Sequence, residues 1–391
     1  MFGVAQDFRY AYRMLRNKPG FAILAVLTMS LGIGASTAIF SVVDAVILRP
    51  LPFSAPDRLV LVKEWIPKAI PDPIPVCAPD VVQFQRENHS FESLAAFRND
   101  EFDLTGGTEP QRVKVNRVSA NLFSVLGVQP TLGRAFTADE DHPGHLVAIL
   151  SYGLWQRQFG SDPHIVGHAV SLNRQPYTVV GIMPRTFIFP LQGLEQGEPS
   201  DVFIPMAFTP EELADVGDNF NYSVVGRLKS GVSLAQANAD LGAIAQRILE
   251  TYPPQFRADI NLSAIALPLA EQVVGKVRPR LLLLFGAVAF VLLISCINVA
   301  NLLLTRATDR QKEIALRLAL GASRVRLLRQ LVAESLLLTL TGASLGLLFA
   351  NSITSALLTL MPPEIPRVHA VDLNLSVLAF AMGLALLTGL F

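Results

Sequence analysis

An α-helical membrane protein with a large extracytoplasmic α+β domain between its first two spans is the fold class this sequence predicts. Three observations carry it. Hydrophobic residues fill 51% of the 391 positions and charged residues 16%, more apolar and less charged than an ordinary soluble domain. The apolar excess gathers near the start and in the last third of the chain. Between them lies a long polar stretch in which strand-like alternation and helical periodicity interleave. A formal net charge of +0 and a pI near 7.0 give no reason to expect a nucleic-acid partner.

The chain opens on a basic lead, residues 1–19. Phe8, Tyr12 and Leu15 recur at helical spacing, and Arg9, Arg13 and Arg16 recur every three or four residues. This pattern predicts an amphipathic helix lying on an anionic membrane face. Next, "FAILAVLTMSLGIGASTAIFSVV" carries no charge from Phe21 to Val43. About 23 apolar residues suffice to cross roughly 30 Å of hydrocarbon. The run is too long for a signal peptide and shows no small-residue cleavage site, so residues 20–48 are read as a retained first span. Gly32 with Ser36, and Gly34 with Ala38, set small residues four apart, which lets a second helix approach closely.

From residue 49 to 279 prolines, glycines and charges return. "RLVLVKEW", "RVKVNRVS" and "QPYTVVGIMP" read as strands. "SYGLWQRQFG" and "SLAQANADLGAIAQRILETY" read as helices. In the second, Leu234, Ala237, Leu241, Ile244, Ile248 and Leu249 form an apolar stripe, and Ser233 is placed to cap it. Strands mixed with helices over this length predict an α+β or α/β domain of two lobes.

A second span follows at residues 280–305. Asn298 and Asn301 sit near its inner end, where amides are expected to be buried and to hydrogen-bond a neighbouring helix. Residues 306–330 are strongly basic. A third span occupies residues 331–360, with Glu334 in its first turn, expected to pair with Arg326 or Arg329 near the interface. A short polar loop, 361–372, leads to a fourth span over 373–391. That span stays apolar to Phe391, which suggests a chain truncated at its C-terminal end.

Charge sets the orientation. The lead holds Arg9, Arg13, Arg16 and Lys18 against Asp7. The segment between spans two and three holds Arg306, Arg310, Lys312, Arg317, Arg324, Arg326 and Arg329 against Asp309 and Glu313. The positive-inside rule puts both in the cytoplasm and the large domain outside. The basic segment is also built as a helix with a stop and a restart. Glu313 and Arg317 are four apart in the favourable order for a helical ion pair. Gly321 suits the end of that helix and Ser323 the cap of the next. Orientation alone needs no such elbow, whereas a short amphipathic helix suits docking into a groove on a cytoplasmic partner.

"RATDRQKEIALRLALGASRVRLLRQLVAESLLL" resembles the coupling-helix region of the FtsX-like permease family, the membrane subunits of MacB-type (type VII) ABC transporters. "LTMSLGIGASTAIFSVVDAVILRPLPF", "VSANLFSVLGVQPTLGRAFTADED" and "VAILSYGLWQRQFGSDPHIVGHAVSLNRQPYTVVGIMP" resemble the MacB periplasmic core domain. The subgroup it resembles most is the duplicated orphan permeases common in Acidobacteria. The resemblance implies an outer domain with a porter-like lobe and an inserted second lobe, and an FtsX-like permease domain over 280–391. It implies a homodimer, or a pseudo-dimer with a duplicated half, driven by two cytoplasmic P-loop ATPase subunits. It further implies that Arg310, Glu313, Ile314, Leu316, Arg317 and Gly321 touch the ATPase, and that a periplasmic adaptor is a further candidate partner. The sequence holds no GxxxxGK[ST] phosphate loop, so the ATP is expected to be used by a separate chain, with no cofactor bound by this one.

Within the same class, a regulator of cell-wall hydrolases and a lipoprotein-extracting subunit are the alternatives. A membrane-anchored periplasmic sensor is a reading from another class, and an enzyme in the outer domain is a third. Other constellations carry little chemistry. In "TADEDHPGHL", Asp139, Glu140, Asp141, His142 and His145 include consecutive carboxylates that cannot converge on one ion, so a cap or solvated turn is expected. His164 and His168 lie in a stretch that reads as turn then strand. The two cysteines, Cys77 and Cys296, form no zinc spacing and fall in segments too unlike to be bridged, and no nucleophile triad stands out. No metal site and no catalytic residue are therefore expected.

Overall fold

The computed structural model describes residues 13, 16, 19–67, 70–105, 110–191, 194, 199–257, 261–309, 324–360 and 374–390. The chain divides into two compact units, one made of 1–49 with 277–391 and the other of 50–276. Most of the basic lead lies outside the described residues; Arg13 and Arg16 are exposed.

Helix α1, Pro19–Val43, begins the first unit and ends in a widened π-helical turn, Asp44–Leu48. The second unit then opens with β1 (Leu59–Trp65), α2 (Ala78–Glu87), β2 (Phe91–Thr105) and β3 (Gln111–Val118). After these come α3 (Leu122–Leu126), β4 (Leu132–Gly133), β5 (Val147–Leu150) and α4 (Tyr152–Phe159), the last capped by the Ser151 hydroxyl. Strands β6 (Ala169–Leu172), β7 (Gln175–Ile182) and β8 (Val202–Pro205) lead to α5 (Pro210–Ala214) and β9 (Ser223–Leu228). The unit closes with α6 (Leu234–Thr251), β10 (Ser263–Pro268) and α7 (Leu269–Val274). Ser233 and Gln236 form a reciprocal capping box at the start of α6.

All the strands among the described residues belong to one sheet, but its pairing resolves two designs. Strands β10, β1, β9 and β2 lie side by side, every neighbour antiparallel. With α2 between β1 and β2, and α6 between β9 and β10, this is a pair of split β-α-β units. The second design is a closed ring in which β2, β3, β8, β5, β7 and β6 pair in turn and β6 returns to β2. Strand β2 serves both. Its first half, through Phe97, pairs with β9, and from Phe97 onward it pairs with β3.

Side-chain alternation sorts the apolar residues accordingly. Val60, Val62, Leu94 and Ala96 face α2 and α6, where Phe84, Ala237, Leu241, Ile244 and Ile248 cover them. Leu59, Leu61, Ala95, Phe97 and Val225 face the other way, onto α3 and a phenylalanine-rich cluster. Because both faces of β1 are covered, its alternating sequence is buried throughout rather than on one side. Val113, Val115, Leu150, Val170, Leu172, Val179, Val202 and Ile204 fill the ring. A register shift opposite Ala148 and Ile149 changes the phase of β7, so that Val179 and Ile182 both face the ring while Val180 between them joins the phenylalanine cluster.

A polar network joins the two designs. Arg117 of β3 makes a bidentate pair with Glu212 of α5, at 2.7 and 3.0 Å, and Tyr222 donates to the same carboxylate at 2.8 Å. Burial raises the Glu212 pKa, but the Arg117 and Thr209 hydrogen bonds outweigh it and bring the carboxyl down to about 2. A depressed folded value stabilises the fold fully above the unfolded carboxylate pKa of about 4.3, and the gain is lost as pH falls toward the folded value. Glu212→Gln is therefore expected to cost about 2 kcal/mol at neutral pH. Urea titrations of the full chain in detergent should show that cost shrinking toward zero in acid.

The acidic "TADEDHPGHL" stretch is structural. Glu140 completes a capping box with Thr137 and pairs with Arg134. Asp141 accepts from the Ala120 and Ala207 amides. His164 and His168 are exposed, and the His168 ring contacts the His164 carbonyl.

The chain then returns to the first unit with α8 (Arg278–Asp309), α9 (Arg324–Leu360) and α10 (Leu375–Leu390). Three segments, Pro19–Leu48, Arg278–Thr305 and Leu331–Ala350, are long and apolar enough to cross a membrane, and Leu375–Leu390 is a shorter apolar helix.

Candidate functional site: the glycine seam of the helical unit

Helix α1 is the element on which α8 and α9 pack, and glycine makes that approach possible. A Cβ placed on Gly34 would lie 2.9 Å from the Gly346 carbonyl oxygen of α9. One placed on Gly346 would lie 2.8 Å from the Ser30 carbonyl oxygen and 3.0 Å from the Gly34 nitrogen. One turn away, Gly342 faces the Met29 Cβ at 2.8 Å. Such spacings are shorter than real Cβ contacts, so α1 and α9 touch backbone to backbone at this crossing. Gly32 faces the opposite neighbour. Its Cβ position lies 3.0 Å from Ser295 Oγ and Leu292 Cδ1 of α8. Met29, Ile33, Leu292, Val299, Leu338 and Ala343 complete the packing around the seam.

Gly32 and Gly34 thus lie at the two helix crossings, and Ala38 is buried. Ser36 is 3% exposed, and its hydroxyl makes no hydrogen bond among the described residues. Asn298 and Asn301 behave differently from expectation. Both side chains are exposed, while Leu292, Ser295 and Val299 form the buried side of α8. They are therefore not buried amides tying helices together within this chain. Helix α8 is apolar all round, so its sequence gives no phase from which their direction could be read.

The other end of α1 is tied by charge and aromatic stacking. Asp44, 6% exposed, accepts from Arg49 Nε and from Asn374 Nδ2, each at 2.9 Å. The Asn374 Oδ1 in turn caps α10 by accepting from the Val377 amide. Phe40 stacks on Phe380 with centroids 4.0 Å apart, and Phe285 of α8 sits 6.3 Å from Phe40. One helix thus carries a backbone-tight contact in its middle and a polar latch at its end.

Arg310, Glu313, Ile314, Leu316, Arg317 and Gly321, the residues expected to touch an ATPase, lie outside the described residues. Glu334 of α9 is buried, 3% exposed. Neither Gly342 and Gly346 as partners of the first span nor the Asp44–Asn374 latch is foreshadowed by any local pattern. Both join residues about 300 positions apart, beyond the reach of local periodicity.

Residues 22–244 match the family described as MacB-like periplasmic core domain, and residues 285–391 match the FtsX-like permease C-terminal family. Among curated proteins, the chain is similar to the macrolide export ATP-binding/permease protein MacB of Chlorobium luteolum. The two are 24% identical over 71% of this chain and 40% of that protein. It is also similar to the ABC transporter permease YknZ of Bacillus subtilis, 26% identical over 66% of this chain and 59% of that one. The chain thus spans less than two thirds of either relative's length. Among solved structures, the periplasmic region of MacB from Actinobacillus actinomycetemcomitans aligns with 56% of this chain and 92% of its own length. The TM-score is 0.39 and the identity 11%.

Proposed function

Because the chain belongs to the MacB-like periplasmic core domain family, we propose that it is the membrane permease subunit of an ABC transporter of the export type. In this reading a separate cytoplasmic P-loop ATPase grips the elbow formed by Arg310, Glu313, Ile314, Leu316, Arg317 and Gly321. ATP-driven closure of two such ATPase subunits moves α8 and α9. The glycine seam passes that movement to α1, and the chain running on from α1 and back into α8 passes it to the outer domain. The chain itself performs no catalysis. It works as a homodimer, or with a duplicated half, with its N-terminus and elbow in the cytoplasm and residues 50–276 in the periplasm. The four-stranded β-α-β segment is the porter-like lobe and the closed ring the inserted one.

One observation carries the reading. The core-domain match and the permease match cover both structural units, the permease match falling wholly within the helical unit that resumes at Val277. An anchored sensor would need neither a defined elbow nor a backbone-tight seam. The test uses the native cell. Arg317→Glu and Ile314→Asp are expected to reproduce the export or envelope phenotype of a strain lacking the gene, with membrane levels of the protein unchanged. If both variants behave as wild type at normal levels, the elbow transmits nothing and the chain is an anchor.

A further inference from the structure

A group of side chains in the outer unit lies apart from everything above. Glu64 of β1, Cys77 at the start of α2 and Asp80 in its first turn are 0%, 0% and 2% exposed. One ligand atom from each lies within 4.8 Å of the others. Neither carboxylate oxygen of Glu64 makes a hydrogen bond of normal length and angle among the described residues; Asp80 and the Cys77 backbone are the polar groups that act on it. Tyr252, 1% exposed at the end of α6, donates to Asp80 Oδ2 at 2.6 Å and sits 3.8 Å from Cys77 Sγ.

Two carboxylates and a thiol brought together in a dry interior are an expensive arrangement unless something unites them. No cationic side chain is among the groups acting on Glu64. A shared proton joins Glu64 to Asp80 and leaves the Cys77 sulfur only weak contacts with the Tyr252 hydroxyl and the Gly217 backbone. A divalent cation uses all three donors at once. We infer that Glu64, Cys77 and Asp80 form a structural divalent-metal site of zinc-preferring type, clipping β1 to the start of α2, with Tyr252 orienting Asp80 from α6.

The donor set fits that ion. Zinc accepts mixed sulfur and carboxylate ligands at about 2.0–2.3 Å, so ligand atoms about 3.5 Å apart suffice, and small side-chain rotations close the present spacing. The Tyr252 hydroxyl on Asp80 is the outer hydrogen bond that fixes a ligating carboxylate. Burial first, then Asp80, raises the Glu64 carboxyl well above its ordinary range. Burial and the two carboxylates likewise raise the Cys77 thiol. Binding takes the thiolate form of Cys77, so the thiol proton, with any proton the carboxyls share, leaves to solvent as the cation enters.

The test uses the full chain purified in detergent from cells grown with zinc or with cobalt, after passage over a chelating resin. Zinc content is expected near one ion per chain for wild type and Cys296→Ser, and below about a tenth of that for Cys77→Ser and Glu64→Gln. The cobalt-grown protein is expected to show a thiolate-to-cobalt charge-transfer band that survives Cys296→Ser and vanishes in Cys77→Ser. Folded wild-type protein with neither zinc nor the band overturns the site, whatever the variants do. Metal that survives Cys77→Ser and Glu64→Gln overturns it equally, since it must then be held elsewhere.

Discussion

Gly34→Val is expected to separate α1 from α9 and to remove about 3 kcal/mol or more from the stability of the helical unit, the upper range for overpacking. The first new atom already stands 2.9 Å from the Gly346 carbonyl oxygen, and the branches of valine lie further into α9. The obstacle is backbone, so no rotamer change relieves it. The helices must part, and contacts along Met29, Ile33, Leu338 and Ala343 loosen with them. Gly383 of α10 provides the contrast, because a Cβ there meets nothing within 4 Å. Gly383→Ala should change stability by less than about 1 kcal/mol. Thermal unfolding of the detergent-solubilised chain compares the two. Equal melting temperatures would mean that the seam is not the tight contact described.

Phe123→Ala is expected to cost about 4 kcal/mol in the unit of residues 50–276. Phe123 is fully buried, with ring centroids of Phe136, Phe187 and Phe203 at 5.9, 5.8 and 5.6 Å. Phe203 belongs to β8, whose neighbours Val202 and Ile204 point into the ring. Phe123 belongs to α3, which packs with Leu61, Ala95 and Val225 of the four-stranded segment. The cluster therefore bolts the two sheet designs together. Its loss should lower the urea midpoint and open the unit to protease near β8. A change below about 1 kcal/mol would show that the site collapses around the missing ring.

Local features were legible where one element decides them. The Ser233 cap and the stripe of Ala237, Leu241, Ile244 and Ile248 are visible in α6 because a half-buried helix must alternate by turn. The β3 segment reads as a strand from its alternation, whereas β1, covered on both faces, reads as one from its run of leucine and valine. Strand β2 was harder. Its fifteen residues, Phe91–Thr105, change partners midway and change burial pattern with them, so no single period runs through it. In the helical unit, Gly32 and Gly34 announced a close approach without naming the partner. Asn298 and Asn301 misled, since a uniformly apolar helix hides which side faces inward. Glu64, Cys77 and Asp80 follow no known motif spacing; pairing Glu64 with Ile74, and Val76 with Tyr222, is what brings them together.

The central claim is that this chain transmits the work of a separate ATPase. Affinity purification of the full-length protein from its native membrane in mild detergent, with mass spectrometry of what accompanies it, tests that most directly. The expected result is a P-loop ATPase in near-stoichiometric amount with wild type, and its loss with Arg317→Glu. Intact wild-type protein with no ATPase, under conditions that keep other ABC complexes together, would contradict the account.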